Sequence, residues 1–462
     1  MSTSDSQAPE PSDAAEAGPR TTSTTSSLLK AVPTAALIGV LSALTLLGLS
    51  AIAERLQEFV WRDVPDAWGI AHADGAAWWW TIAVLTTTGL LVGATIRWVP
   101  GHAGTDPVTT GLVAPPLPIG ALPGLALALV LGLAGGVSLG PENPIIAVNV
   151  ALAVWILARR RDATAQAGAG VLATAGTIGA LFATPVAAAL VLTETLASRT
   201  GPGQRLFDLL FPPLIAAGAG SLTMVLVGAP TFAVDVPDYT HPRAWDLLSV
   251  PVIAITAAGL VGLGALALPY LHSAFHRLAS PVLALGVAGL LLGVLGVLGG
   301  EVTLFKGLDQ TKELADTVDD RAWGGLALIA VIKVLALLVA AAAGFRGGRI
   351  FPAVFVGVAV GLSATTLVPA VPPALAVAAG TLGAVIAVDR DGWIALFLAA
   401  ITVGDVEVLP LLCLTLAPLW LVARSLPPFQ VHPSTGNLEF GAVTRAHGRH
   451  LVRGRPPGRT NR

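Results

Sequence analysis

The sequence has few charged residues and only one cysteine. Asp, Glu, Lys and Arg make up 12% of its 462 residues, against about 25% in an average soluble protein. Hydrophobic residues make up 54% before the 51 glycines are counted, and they lie in long uncharged runs. This composition is typical of a chain surrounded by lipid, and it excludes a soluble enzyme, a nucleic-acid-binding protein and a disordered chain. The single Cys413 excludes a disulfide framework and a thiolate metal site.

The two ends of the chain differ from its middle. Residues 1–27 are rich in Ser, Thr, Ala and Pro, which predicts a disordered tail. Residues 431–462 form a second, arginine-rich tail. Cytoplasmic loops of membrane proteins are enriched in Lys and Arg, so this tail and the arginine turn at 159–161 predict that both termini are cytoplasmic and that the protein lies in the plasma membrane. Residues 28–430 are predicted to form one transmembrane domain.

Several uncharged stretches have the roughly 20 residues that a membrane-spanning helix needs, but others do not. The stretches at 143–158 and 392–404 are short, and the one at 350–388 is too long for one span and is interrupted by four prolines. Broken helices are tolerated in a bilayer only where protein or water surrounds their free backbone groups. The predicted fold class is therefore an all-α polytopic membrane protein with half-helices that meet near the membrane midplane.

The irregular segments contain two similar sequence motifs. Residues 175–180 read AGTIGA and residues 379–384 read AGTLGA. A Gly-Gly pair followed by a proline precedes each of them by about 30–40 residues, an arrangement typical of transporters built from two repeats. Two halves are predicted, at about 28–234 and 247–430. A chance match is also common in an Ala/Gly-rich chain, so the paired glycine–proline elements are the stronger part of this argument.

The first glycine–proline element reads GGVSLGPENPII at 135–146. Glycines permit a tight turn, and Pro144 suits the first turn of a helix, whose free amides attract anions. A carboxylate beside such a helix start can occupy the anion site and leave when it is protonated. Glu142, an ionisable residue in a long apolar region, is therefore predicted to be a gate. The alternative is a helix-capping acid in an interfacial loop.

The second element reads GFRGGRIFPA at 344–353. It predicts a helix start whose backbone N–H groups, those of Arg349, Ile350 and Phe351, face an anion from the opposite side. Two converging helix starts would form an anion site without a cation. The alternative is a cytoplasmic Gly/Arg loop in which Arg346 and Arg349 follow the positive-inside rule.

At these two elements the sequence resembles the CLC chloride channel and transporter family. The family's gating element, Gly-Arg-Glu-Gly-Pro, is similar to residues 140–144, and its Gly-Gly-Ile-Phe-Ala-Pro element is similar to residues 347–352. The resemblance covers about residues 30–430. It implies an inverted-repeat fold and a homodimer with one anion pathway in each subunit. The anion-binding residues predicted from the helix starts and from this resemblance are Thr105, Gly140, Asn143, Pro144, Ile145, Gly348, Arg349, Ile350 and Phe351.

The sequence also departs from the family pattern. The family's loop Gly-Ser-Gly-Ile-Pro is similar to residues 104–107, which makes Thr105 the candidate hydroxyl ligand and places the repulsive Asp106 beside it. The internal glutamate that relays protons in the family's exchangers falls on Thr195, with Glu194 one residue earlier. The family's pore tyrosine has no counterpart, because Phe429 lies near its place without a hydroxyl group. These departures suggest a divergent bacterial branch of ion-transport proteins.

The predicted function is a chloride-type anion channel gated by Glu142, because threonine at position 195 cannot carry a proton. The alternative on the same fold is a proton-coupled anion antiporter in which Glu194 is the relay. Two other classes stay open. An intramembrane enzyme would use Glu142, Glu194 and Asp389 or Asp391 as acids, and a secondary carrier would take up an organic solute.

The predicted partners are inorganic anions, the lipid bilayer and a second copy of the chain, with no nucleic acid. No cofactor and no metal site are predicted. His272 and His276 have the spacing of a helical metal-binding pair, but beside Arg277 and without a third ligand they are interpreted as a solvated turn.

Overall fold

The computed structural model describes residues 22–72, 75–112, 115–158, 163–197, 205–228, 232–278 and 280–431. Most of both predicted tails and the arginine turn at 159–161 lie outside the described residues. Within these ranges the chain is almost entirely helical, with two two-residue strands, β1 (Ala71–His72) and β2 (Gly75–Ala76). The first helix begins at Thr22, six residues before the domain boundary predicted from composition.

The described part of the first predicted half contains eight α-helices: α1 (Thr22–Glu58), α2 (Val64–Trp68), α3 (Trp78–Trp98), α4 (Leu122–Ala134), α5 (Glu142–Ala158), α6 (Ala163–Leu181), α7 (Pro185–Ala197) and α8 (Leu206–Val227). Its second half contains eight more in the described ranges: α9 (Asp246–Arg277), α10 (Pro281–Gly299), α11 (Leu308–Asp316), α12 (Trp323–Ala343), α13 (Ile350–Leu367), α14 (Pro373–Asp389), α15 (Gly392–Val403) and α16 (Leu409–Ser425). Short 3-10 turns, such as Pro107–Thr109 and Glu301–Thr303, join several of them.

Seven helices in the described part of the chain are long and apolar enough to cross a membrane: α1 with its continuation to Trp68, α3, α8, α9, α10, α12 and α13. Shorter apolar helices lie between them, including the 17-residue α5 and the 12-residue α15. The long stretch at 350–388 divides into α13 and α14, as its prolines predict. The all-α polytopic fold class is thereby confirmed.

The two similar motifs, at 175–180 and 379–384, lie on α6 and α14, and both form helix–helix packing surfaces. α6 packs against α1 and α8, and α14 packs against α9 and α13. Gly176 faces the backbone of Gly39, and Gly380 faces the backbone of Gly357. Small residues at such contacts allow helices in a membrane to approach closely, which is the physical reason for the repeated motif.

We expect Gly380→Ala to destabilise the protein, because a β-carbon at this position would overlap the carbonyl oxygen of Gly357. Overpacking of this kind costs about 1–3 kcal/mol. The measurement is the melting temperature of purified protein in detergent. Gly259→Ala on α9 is the matched control, because nothing lies within 4 Å of its β-carbon position. Equal melting temperatures for the two variants would contradict the packing argument.

Candidate anion site

The two glycine-rich turns meet and pair through their backbones. The amide of Gly140 donates to the carbonyl oxygen of Gly348 at 2.8 Å, and the amide of Gly348 donates to the carbonyl oxygen of Gly140 at 2.6 Å. Together they form an isolated antiparallel bridge. Because these turns lead into α5 and α13, the bridge holds one helix start from each half beside the other.

The side chain of Glu142 lies between these two turns and is 0% exposed. Its Oε1 accepts a hydrogen bond from the amide of Phe351 at 2.7 Å. Oε2 has no hydrogen-bond partner among the described residues. The carboxylate of the first half therefore occupies the helix start of the second half.

Glycine is required at both ends of the bridge. A β-carbon at Gly140 or at Gly348 would overlap the carboxylate of Glu142. The N–H groups of these two glycines already donate to each other's carbonyl oxygens. The N–H group of Ile145 donates to the carbonyl oxygen of Pro141 at 3.0 Å. Gly140, Gly348 and Ile145 therefore shape the site, and their amides are not available as anion ligands. Pro144 has no N–H group and contributes to the first turn of α5.

The site contains a buried cation, so the prediction of a cation-free site is wrong. Arg349 is 6% exposed, its Nη1 donates to the carbonyl oxygen of Phe429 at 3.0 Å, and its Nη2 lies 3.5 Å from Oδ1 of Asp389. Arg346 is 8% exposed and donates to the carbonyl oxygens of His102 and Gly104. Neither arginine belongs to a solvated loop. Phe429 is close to the site through its carbonyl group, while its side chain is fully buried.

A polar loop at 104–111 borders the site on one side. The side-chain amide of Asn143 donates to the carbonyl oxygen of Gly111 at 3.1 Å. The backbone amide of Val431 donates to the carbonyl oxygen of Val108 at 3.1 Å. Thr105 is exposed and lines a cavity of about 30 Å³ together with Asn143 and Pro144. This places the candidate hydroxyl ligand near the start of α5, with no direct contact to Glu142 among the described hydrogen bonds.

The chain neighbours of Glu142 line different cavities. Asn143 lines the cavity with Thr105 and a second one of about 10 Å³ with Arg349. Pro141 lines a polar cavity of about 20 Å³ whose other members include Glu54, Lys306, Asp309 and Gln310. Volumes of this size hold about one water molecule. Small cavities therefore border both chain neighbours of Glu142.

The residues predicted for proton movement lie farther out. Glu194 and Thr195 are exposed near the end of α7. Asp391 caps α15 by accepting hydrogen bonds from the amides of Trp393 and Ile394. Burial, together with the negative charges of Asp389 and Glu194, raises the pKa of the Asp391 carboxyl group above its usual value. Asp389 pairs with Arg349, a contact that the sequence spacing did not indicate.

The interpretation of His272 and His276 as a solvated turn is wrong. Both residues lie inside α9, which continues to Arg277. His272 is fully buried, and its Nε2 lies 3.1 Å from Oδ2 of Asp106. Asp106 belongs to the loop at 104–111 and lies 166 residues from His272 in the sequence.

Known proteins resemble this chain along most of its length. A family model described as voltage gated chloride channel matches residues 88–419. "Putative ion-transport protein YfeO" from Escherichia coli (strain 55989 / EAEC) is 49% identical over 410 residues, which cover 88% of this chain and 95% of the relative. The protein of the same name from Salmonella typhimurium is 47% identical over 402 residues, covering 87% and 96%.

Two solved structures share the fold. A CLC-type fluoride/proton antiporter has a TM-score of 0.70 at 18% identity and covers 89% of this chain and 98% of its own. A slow cyanobacterial Cl-/H+ antiporter has a TM-score of 0.71 at 16% identity, covering 86% and 94%. Since the family model matches well over half of the chain and the relatives share nearly half of their residues with it, the chain is a multi-pass membrane protein of the CLC family, in which this fold serves anion transport.

Proposed function

We propose that this protein conducts inorganic anions of the chloride type passively across the plasma membrane, through a pathway that the carboxylate of Glu142 closes. The observation that carries the proposal is the hydrogen bond from the amide of Phe351 to Glu142 Oε1. Amides at a helix start carry partial positive charge and attract anions. A carboxylate bound to them stands where a mobile anion would bind.

Protonation opens this gate. A neutral carboxyl group gains less from the amides of Ile350 and Phe351 than an anion does, so an incoming anion displaces it. Small cavities at Pro141 and at Asn143, the chain neighbours of Glu142, are the proposed approaches to the site. Thr105 and Asn143 are the proposed ligands along the second of these, and Arg349 borders the same pathway. The proposal includes a homodimer, as the family resemblance implies, with both termini in the cytoplasm, as the placement of the arginines predicts.

Family membership favours anion transport over the enzyme and organic-solute hypotheses. The acids of the enzyme hypothesis are engaged elsewhere, because Glu142 accepts from a backbone amide, Asp389 pairs with Arg349 and Asp391 caps a helix. In each of these contacts a carboxyl oxygen faces a donor group of the protein, which suits binding and gating.

We expect Glu142→Gln to remove the pH dependence of anion flux. In the wild-type protein flux should rise as pH falls, because the protonated fraction of a carboxyl group changes about tenfold per pH unit above its pKa. Glutamine cannot titrate, so the variant should show the same flux at every pH. The measurement is chloride efflux from liposomes containing purified protein, over a range from acidic to alkaline pH.

The matched control for this experiment is Glu58→Gln, which removes an exposed carboxylate that pairs with Arg55 on the surface. This variant should keep the wild-type pH profile. A Glu142→Gln profile that follows the wild-type curve would remove Glu142 from the gate.

A second candidate function is proton-coupled anion exchange, and one observation favours it. Asp389 pairs with Arg349 at the helix start that holds Glu142, and Asp391 follows two residues later in the chain. These acids and the exposed Glu194 of α7 form the candidate path. They would supply a proton route in place of the relay that Thr195 cannot provide. The two structural neighbours are named as proton antiporters, which supports testing this route.

If protons are coupled, Asp391→Asn should reduce proton flux at least about tenfold while anion flux continues, because an amide cannot carry the proton. The measurement is simultaneous recording of anion and proton movement in one liposome preparation. Glu407→Gln, an exposed acid beyond α15, is the control and should leave both fluxes unchanged. Anion flux with no proton movement in the wild-type protein would establish the channel and reject the exchanger.

A further inference from the structure

A second polar cluster lies beside the loop that borders the anion site. The carboxylate of Asp106 and the imidazoles of His272 and His276 each bring one ligand atom within 4.8 Å of the other two. Asp106 precedes the turn Pro107–Thr109, and both histidines lie on α9. We propose that these three residues bind one divalent transition-metal ion, for which Zn²⁺ is the best match to the ligand set.

The positions of the three ligands suit such an ion. Histidines four residues apart on a helix present their rings on the same face, an arrangement that zinc sites use. His272 Nε2 lies 3.1 Å and His276 Nε2 lies 3.7 Å from Oδ2 of Asp106. Ligand atoms in tetrahedral zinc sites, each about 2.0–2.1 Å from the metal, are separated by roughly 3.3 Å. Two nitrogens and one oxygen leave the fourth position for water or an anion.

The protonation states also suit metal binding. Nδ1 of His276 lies 2.8 Å from the carbonyl oxygen of His272, which can only accept, so Nδ1 carries the hydrogen. In the neutral ring the lone pair is then on Nε2, the atom that faces Asp106. A metal-binding histidine usually donates its other nitrogen to a carbonyl or a carboxylate in this way.

Asp106 presents one carboxylate oxygen to the two histidines. Its Oδ1 accepts a hydrogen bond from the amide of Val108 at 3.1 Å, whereas its Oδ2 lies 3.1 Å from His272 Nε2. The competing interpretation is an ion pair between Asp106 and a protonated histidine, without a metal.

A bound ion would tie two distant parts of the chain together. Asp106 belongs to the loop at 104–111, which carries Thr105 and accepts the side chain of Asn143 at Gly111. The other two ligands belong to α9, one of the longest membrane helices. If the proposed function holds, Zn²⁺ fixes this loop beside the pathway and changes anion flux.

The test is metal binding to the purified full-length protein in detergent. Titration with Co²⁺ gives a visible absorption band for tetrahedral coordination, and displacement by Zn²⁺ removes it. We expect one ion per chain. Asp106→Asn and His276→Gln should weaken binding at least about tenfold. Loss of a group that only hydrogen-bonds to a metal ligand already weakens metal binding by about 10- to 100-fold. Neither change leaves a cavity, and gel filtration checks that both variants fold.

The matched control is His102→Ala. His102 lies next to this loop, is exposed, and contacts Arg346 only through its backbone carbonyl, so the variant should bind Co²⁺ as the wild-type protein does. Absence of a tetrahedral band, unchanged binding in the Asp106 and His276 variants, or an equal loss in His102→Ala would overturn the proposal in favour of the metal-free ion pair. The effect of Zn²⁺ on chloride efflux is measured separately. Binding without chloride transport would leave the metal site standing and reject the proposed function.

Discussion

A buried carboxylate governs the architecture of this protein. A charge inside a membrane protein is costly unless hydrogen bonds replace the water that it has lost. Glu142 receives those bonds from the start of α13, in the other half of the chain. The two halves must therefore approach to within one side chain of each other, and only glycine at positions 140 and 348 allows it. The reciprocal hydrogen bonds between these glycines are the consequence.

The buried cations stabilise the irregular backbone around this contact. Lys333 donates to the carbonyl oxygens of Thr303, Leu304 and Phe305 at 2.9–3.0 Å. Arg346 donates to the carbonyl oxygens of His102 and Gly104, at the start of the loop at 104–111. Arg349 donates to the carbonyl oxygen of Phe429. Broken backbone at membrane depth needs such partners. The cations thus hold in place the segments around the site.

Local features of the sequence predicted the local structure well. The Gly–Pro elements indicated the helix starts of α5 and α13, and the prolines within 350–388 indicated the break between α13 and α14. Contacts between distant segments left no such signal. The partner of Glu142 is 209 residues away, and Asp106 is 166 residues from His272.

The two wrong interpretations, a cation-free site and a solvated histidine turn, have one cause. Neither Arg349 nor His272 has an acidic residue near it in the sequence. A distant acid, Asp389 or Asp106, gives each buried side chain a polar partner. The i, i+4 spacing of the histidines was the one local signal that could have pointed to a helix.

If the proposed function holds, the charges around Glu142 explain how one site holds either a carboxylate or a free anion. The guanidinium of Arg349 lies 3.5 Å from the carboxylate of Asp389, so it is already engaged inside the protein. The attraction for a negative group then comes from the partial charges of the amides at the start of α13, which accommodate one anion at a time. Glu142 and a mobile anion would therefore compete for the same amides. Exchange between them would move one side chain and leave the backbone bridge between Gly140 and Gly348 in place.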